Sequence, residues 1–311
     1  CTRAARMFYE RAVTTVHPVS STQTAEMIKL LENTFRAVNI GLVNEIAMMC
    51  EKLDLDVWEV IEGAATKPFG YMKFLPGPGI GGHCIPLDPH YLSWKLKTLN
   101  YSARFIELAS EINGAMPELV VRRATELLND DRKSVKGSRI LVLGVAYKRD
   151  TGDLRESPAL DVLQILHDRG ARIRFHDPYN KTLKLEDGTL KRGKSFTPAT
   201  FKEADLVIVI TDHSCFDYDE VVRHSRIVLD TRNATRARSR YAKSSMRCAI
   251  RRRSMCSRWV RGRTSSSISV TGWTWHWITS WGSGIFMICW RRRVRRIRTV
   301  NDCSLVQSSH S

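Results

Sequence analysis

Residues 138–145 read SRILVLGV, residues 157–170 read SPALDVLQILHDRG, and residues 171–178 read ARIRFHDP. The first and third are short apolar runs, the signature of buried strands. The second repeats its apolar residues at helical spacing and closes on Gly170. Two more runs, ADLVIVITDH (204–213) and SRIVLDTRN (225–233), also read as strands. Strand, helix, strand, with apolar strands about 30 residues apart, predicts a parallel α/β sheet. It is not a dinucleotide fingerprint. After Gly144 the chain runs GVAYKRDTGD, and no GxGxxG is present.

Upstream, the period is helical. Residues 20–53 carry Ile28, Leu31, Phe35, Val38, Leu42, Ile46 and Met49 on one stripe. Ser20 and Gln23 can form a capping box at its start. At about 30 residues this helix is long for a globular fold, and its apolar face suits a partner subunit. DVWEVIEGAAT (56–66) adds a short helix. SARFIELASEINGAM (102–116) and PELVVRRATELLND (117–130) read as two further helices, with Pro117 placed to start the second. Between them and the long helix lies a loop, FLPGPGIGGHCIPLDPHYLSW (74–94).

The 311 residues suffice for about two domains. The net charge of +17 resembles that of a nucleic-acid binder. However, residues 236–311 hold 17 Lys+Arg against one acid, so residues 1–235 carry only +1. From Arg236 onward sixteen arginines meet one lysine, and six of the eight tryptophans cluster there. Neither period is sustained. Arg, Ser, Trp and Cys enrichment is the composition of an out-of-frame reading of GC-rich DNA, so this tail is expected to be irregular. The rival reading is a basic, stacking nucleic-acid arm. The eight cysteines form no CxxC pair and have no zinc spacing. Scattered single cysteines fit a reducing, cytoplasmic setting, and no apolar run is long enough for a membrane span. Cys1 stands where a start methionine would be, and a fragment is expected.

Cys84 is the focus of the loop. A thiol becomes a nucleophile when it is accessible and its thiolate is favoured. Gly77, Gly79, Gly81 and Gly82 let a ligand approach the backbone. Pro76, Pro78, Pro86 and Pro89 limit the loop's freedom. The alternatives are a structural turn with a chance cysteine, a His83–Cys84 hydrolytic pair, or a metal site of His83, Cys84, Asp88 and His90. Adjacent residues in extended chain point apart, which disfavours the pair, and the prolines hinder a metal wrap. Lys29 and Asn33 share a helix face. They are either ordinary surface residues or donors to an oxyanion.

FLPGPGIGGHCIPLDPHYLSWK (74–95) resembles the active-site segment of the UDP-glucose/GDP-mannose dehydrogenase family, nucleotide-sugar dehydrogenases that make uronic acids. AEMIKLLENTFRAVNIGLVNEIAMMCEK (25–52) resembles its central dimerisation helix, and GVAYKRDTGDLRESPALDVLQIL (144–166) the opening of its UDP-binding domain. The resemblance implies an α/β fold in which a long-helix dimerisation domain precedes a Rossmann-like, UDP-binding parallel sheet. It divides the chain into an NAD-domain remnant (1–19), a central domain (20–118), an incomplete UDP-binding domain (119–235) and the tail (236–311). It implies Cys84 as nucleophile, Lys29 and Asn33 as oxyanion donors, and Asp88 as the group that positions water. Leu75, Gly77, Gly79 and Gly81 would clasp the nucleotide sugar, with Lys148 and Arg232 as further substrate contacts. His83 and Arg155 would face NAD. A homodimer through the 20–53 helix follows, and the sugar segment looks most like the UDP-N-acetylglucosamine branch, although Met72-Lys73 departs from the expected Met-Pro. The NAD-binding Rossmann domain, with its GxGxxG, is not in the sequence, so this polypeptide is expected to turn over little or nothing.

Overall fold

The strands of the sheet form where the sequence is most continuously apolar. In the computed structural model, β1 (Arg139–Leu143), β2 (Arg172–His176), β5 (Leu206–Val209) and β6 (Ile227–Asp230) lie parallel in the order β2-β1-β5-β6. The structure describes residues 1–236 and, beyond them, only the backbone of four strands: β7 (Ala249–Arg251), β8 (Ser269–Val270), β9 (Trp273–Trp277) and β10 (Ile288–Arg292). β7 adds to the sheet edge antiparallel to β6. In a separate unit, 255–311, β10, β9 and β8 make an antiparallel sheet. The rest of the tail, and the expectation that it is irregular, lie outside the described residues.

Alternate side chains of β1, β5 and β6 enter two cores, as the period of two requires. Ile140, Val142, Leu206, Ile208, Ile227 and Leu229 face one side, with α5 (Arg104–Asp130) and α6 (Pro158–Asp168). Leu141, Leu143, Val207, Val209 and Val228 face the other, with α7 (Pro198–Glu203) and α8 (Tyr218–His224). Burial on both faces explains why these strands read as apolar runs rather than alternating ones. The Ser157 hydroxyl accepts from Ala159 N to start α6, Pro158 occupies its first turn, and Gly170 (φ +78°) ends it. A small hairpin, β3 (Thr182–Lys184) with β4 (Leu190–Arg192), was not foreseen.

The helical part is built from α2 (Thr22–Lys52), α3 (Val57–Ala64), α4 (Cys84–Lys97) and the first half of α5, after a short α1 (Thr2–Tyr9). Three details depart from the sequence reading, and a fourth accords with it. The cap of α2 is Ser21, accepting from Thr24 N, not Ser20. Pro117 does not start a helix. It sits inside a single α5, because Met116, Leu119, Val120 and Val121 bury on both sides of it and hold the helix through the lost bond. That helix crosses position 118 and serves both the helical core and the sheet core. Residues 84–94 are not loop. They belong to α4, where Pro86 lies in the first turn, whose N–H groups have no helical partner anyway. Finally, the apolar stripe of α2 faces out. Leu31 is 61% exposed, with Ile28, Phe35, Leu42 and Met49 also exposed. The inward face is Asn33, Gly41, Val43, Asn44, Ala47 and Cys50.

Candidate active site

Cys84 is the first residue of α4, and its thiol is exposed. Cys50, by contrast, is buried in the helical core, and burial pushes its thiol up. The glycines before Cys84 are needed for close approach to the sheet domain. A Cβ at Gly81 would lie 2.5 Å from Glu156 O and 2.6 Å from Tyr147 Cβ. Gly82 packs on the Tyr147 ring, and its N–H donates to Arg155 O at 3.0 Å. Pro158, at the start of α6, rests against Gly79. The loop before the thiol is therefore docked on the 147–158 segment.

That segment lies at the carboxyl ends of the strands. From β1 the chain passes first to β2 on one side and later to β5 on the other, and such reversal points are where open α/β sheets form ligand crevices. The segment is stitched in place. Asp177, buried at the end of β2, accepts from Val145 N at 2.8 Å, from Ala146 N at 3.3 Å and from His213 Nε2 at 3.1 Å. His213 Nδ1 accepts from Asp150 N at 3.0 Å, so its ring proton is on Nε2. Burial alone would raise the Asp177 carboxyl, but these hydrogen bonds from His213 and the backbone hold it far below the usual range. Thr211 Oγ1 donates to Ala146 O, and Arg149 pairs with Asp212.

Arg232, just past β6, is half-buried and donates from Nε to Ile210 O at 2.9 Å. Its Nη1 is 2.5 Å from where a Gly77 Cβ would be. Burial lowers its pKa, opposed by Asp212 and Asp230. Of the other predicted residues, Asn33 and Asp88 meet directly, Asn33 Nδ2 donating to Asp88 Oδ2 at 2.6 Å. Lys29 does not join them: its ammonium is exposed and binds Glu32 at 2.9 Å. Leu75, His83 and Lys148 are exposed. Arg155 is exposed too and clasps Asp153, drawing that carboxyl down to about 2. A separate cleft of about 250 Å³ opens between α2, α4 and α5, lined in part by Thr34, Val38, Ile80, Pro86, His90 and Asp161.

Comparison with known proteins matches this arrangement. The model for the UDP-glucose/GDP-mannose dehydrogenase family, central domain, matches residues 23–115, and that for the UDP binding domain of the same family matches residues 141–237. The chain belongs to this family. A UDP-N-acetyl-D-mannosamine dehydrogenase of Methanococcus maripaludis is 34% identical, over 69% of this chain and 49% of its own. An NDP-N-acetyl-D-galactosaminuronic acid dehydrogenase of Ralstonia nicotianae is 36% identical, over 75% of this chain and 53% of its own. The solved UDP-D-ManNAc dehydrogenase of Pyrococcus horikoshii superposes with TM-score 0.66 at 32% identity, over 75% of this chain and 54% of that one. The chain thus spans about half the length of the curated relatives it matches.

For a family whose relatives are dehydrogenases, the sheet offers little to a dinucleotide. The Val145 and Ala146 amides after β1 are both taken by Asp177, so no free amide cradle awaits a diphosphate there. His83, between Gly82 and Cys84 in the chain, and Arg155, whose carbonyl accepts from Gly82 N, both have exposed side chains. Sequence reasoning missed Asn44, Asn113, Tyr147 and His213. The first two sit among apolar helical neighbours, and nothing in a single sequence marks an inward-facing asparagine. Among the described residues no helix is long and apolar enough to cross a membrane.

Proposed function

We propose that the chain supplies the nucleotide-sugar site and the nucleophile of an NAD-dependent UDP-sugar 6-dehydrogenase. The observation that carries this reading is the docking of the Cys84 loop on the sheet domain, with Gly77 against the Arg232 guanidinium. Arg232 sits at a strand's carboxyl end, where a bidentate cation suits a diphosphate. The backbone of 75–79 and the exposed Lys148 would contact the sugar nucleotide, and Arg155 and His83 would face NAD. NAD, when bound, supplies the hydride acceptor for both oxidations.

The chain's own residues account for what happens between the oxidations. The Cys84 sulfur adds to the C6 aldehyde carbon, and the aldehyde oxygen takes up the proton, giving a thiohemiacetal. Asn33 holds the oxygen as its charge develops, joined by Lys29 once its ammonium leaves Glu32. After oxidation to the thioester, water adds to the same carbon, the C–S bond breaks, and the carboxylate leaves with Cys84 restored. Asp88, held by Asn33, orients that water. The partial positive charge at the start of α4 lies beside the sulfur.

The substrate class is a UDP-N-acetylhexosamine, UDP-N-acetylglucosamine by the character of the 67–95 segment. The relatives act on N-acetylated sugars, which makes UDP-N-acetylmannosamine the second arm. The exposed stripe of α2 supports pairing with a second copy. Calorimetry with UDP and both UDP-sugars tests the reading. Wild-type chain is expected to bind, Arg232→Ala to bind at least about tenfold more weakly, and bound UDP-sugar to protect Cys84 from iodoacetamide. Wild type that binds no UDP overturns the reading.

A further inference from the structure

Two carboxamides on the inner face of α2 hold the Cys84 segment at both ends. Asn33 and Asn44 are eleven residues apart, which is about three turns and about 16 Å along one helix face. Asn33 is 2% exposed and Asn44 0%. Asn33 Nδ2 donates to Asp88, four residues after Cys84. Asn44 Oδ1 accepts from Gly77 N at 2.9 Å, seven residues before it. The held segment, 77–88, spans the same eleven residues as its support.

The orientation of Asn44 is set by its other neighbours. Because Oδ1 takes the Gly77 amide, Nδ2 must donate, and it does so to Asn113 Oδ1 at 2.9 Å. Asn113 Nδ2 in turn donates to Ala37 O at 3.1 Å. Turning either amide over would set donor against donor or acceptor against acceptor in a buried site. Gly41 makes the relay possible. A Cβ there would lie 3.2 Å from Ala109 Cα and 3.4 Å from Asn113 Nδ2, so a side chain would press α5 back by a few tenths of an ångström.

We infer that Asn44, oriented by Asn113, is a positioning residue for Cys84 and for the Gly77–Arg232 contact. It reaches neither substrate nor sulfur. It fixes where the loop leaves the helical core, and so where the thiol and the guanidinium stand relative to each other. This rests on the proposed reading that Cys84 reacts and that Gly77 and Arg232 meet the nucleotide.

The first test needs no variant. Exchange of the Gly77 amide in the full wild-type chain should be at least about tenfold slower than in unprotected peptide. The second compares Asn44→Leu with wild type, and adds Asn113→Ser, which cuts the relay while leaving the Gly77 acceptor. Iodoacetamide labelling is read at Cys84 relative to exposed Cys215. In both variants the Cys84:Cys215 rate ratio should shift about threefold or more, as a loosened site does, and Gly77 exchange should quicken. A purely structural role lowers the melting temperature and leaves that ratio unchanged. An unprotected Gly77 in wild type overturns the inference outright, and so does an unchanged ratio in a folded variant. UDP affinity is measured alongside. Wild type that binds no UDP while Gly77 is protected and the ratio shifts defeats the proposed function but not the relay.

Discussion

The sheet half and the helical half of this chain solve the burial problem in opposite ways. In the sheet half, β1, β5 and β6 carry apolar side chains to both faces, and helices from the same chain cover them. In the helical half, Ile28, Leu31, Phe35, Leu42 and Met49 of α2 lie outside, and the inner face mixes Gly41 and two asparagines with Val43, Ala47 and Cys50. One half covers its apolar faces with its own helices. The other places a loop through polar bonds, and leaves an apolar surface exposed.

The comparison breaks first, and hardest, in the sheet. Leu206→Ala should cost about 3–4 kcal/mol, since the side chain is fully buried between packed layers; urea unfolding measures it, and a loss below about 1 kcal/mol means the layer is loosely packed. Next come the glycines at the junction. Gly81→Ala should cost about 2–3 kcal/mol, because its methyl would meet the backbone carbonyl of Glu156, which cannot step aside. Gly77→Ala meets instead the movable tip of Arg232, and should leave stability within about 1 kcal/mol while weakening UDP binding.

Acid should find the sheet half too. Burial pushes Asp205 up, but Lys133 and the N–H groups of Arg139 overcome it and bring the carboxyl from 3.8 to about 2. Its folded pKa is depressed, so its contribution is present above pH 3.8 and lost as pH falls toward 2. That loss is about 2 kcal/mol, and Asp205→Asn should flatten the stability curve across that window. The smallest effect tests the outer face of α2. Leu31→Ala should leave unfolding of a dilute monomer within about 0.5 kcal/mol. Sedimentation at rising concentration should nevertheless show weaker self-association than wild type, and equal association removes α2 as the pairing face.

What could be read in advance followed the same divide. The strands, α6 with its Gly170 stop, and the sheet's parallel sense were legible because both faces are buried and the apolar runs announce it. The helices were legible as helices, but not by their ends or their inner faces. Pro117 reads as a beginning, yet neighbours buried on either side carry one helix through it. Cys84 reads as a loop thiol, yet the chain that follows closes into α4, with Pro86 in the first turn, where N–H groups have no helical partner, and Pro89 inside the helix.

By itself, then, the sequence determined the α/β sheet, the order of its elements and the segments that mark the family, since periodicity and local turn chemistry are properties of neighbouring residues. Only the tertiary structure decided which face of α2 is inward, that Asn33 finds Asp88, that Asn44 and Asn113 take hold of Gly77, and that Arg232 stands behind that glycine. Those pairings join residues far apart in the chain. A buried amide is marked by the partners that satisfy it, and those partners exist only once the helices and the sheet have packed.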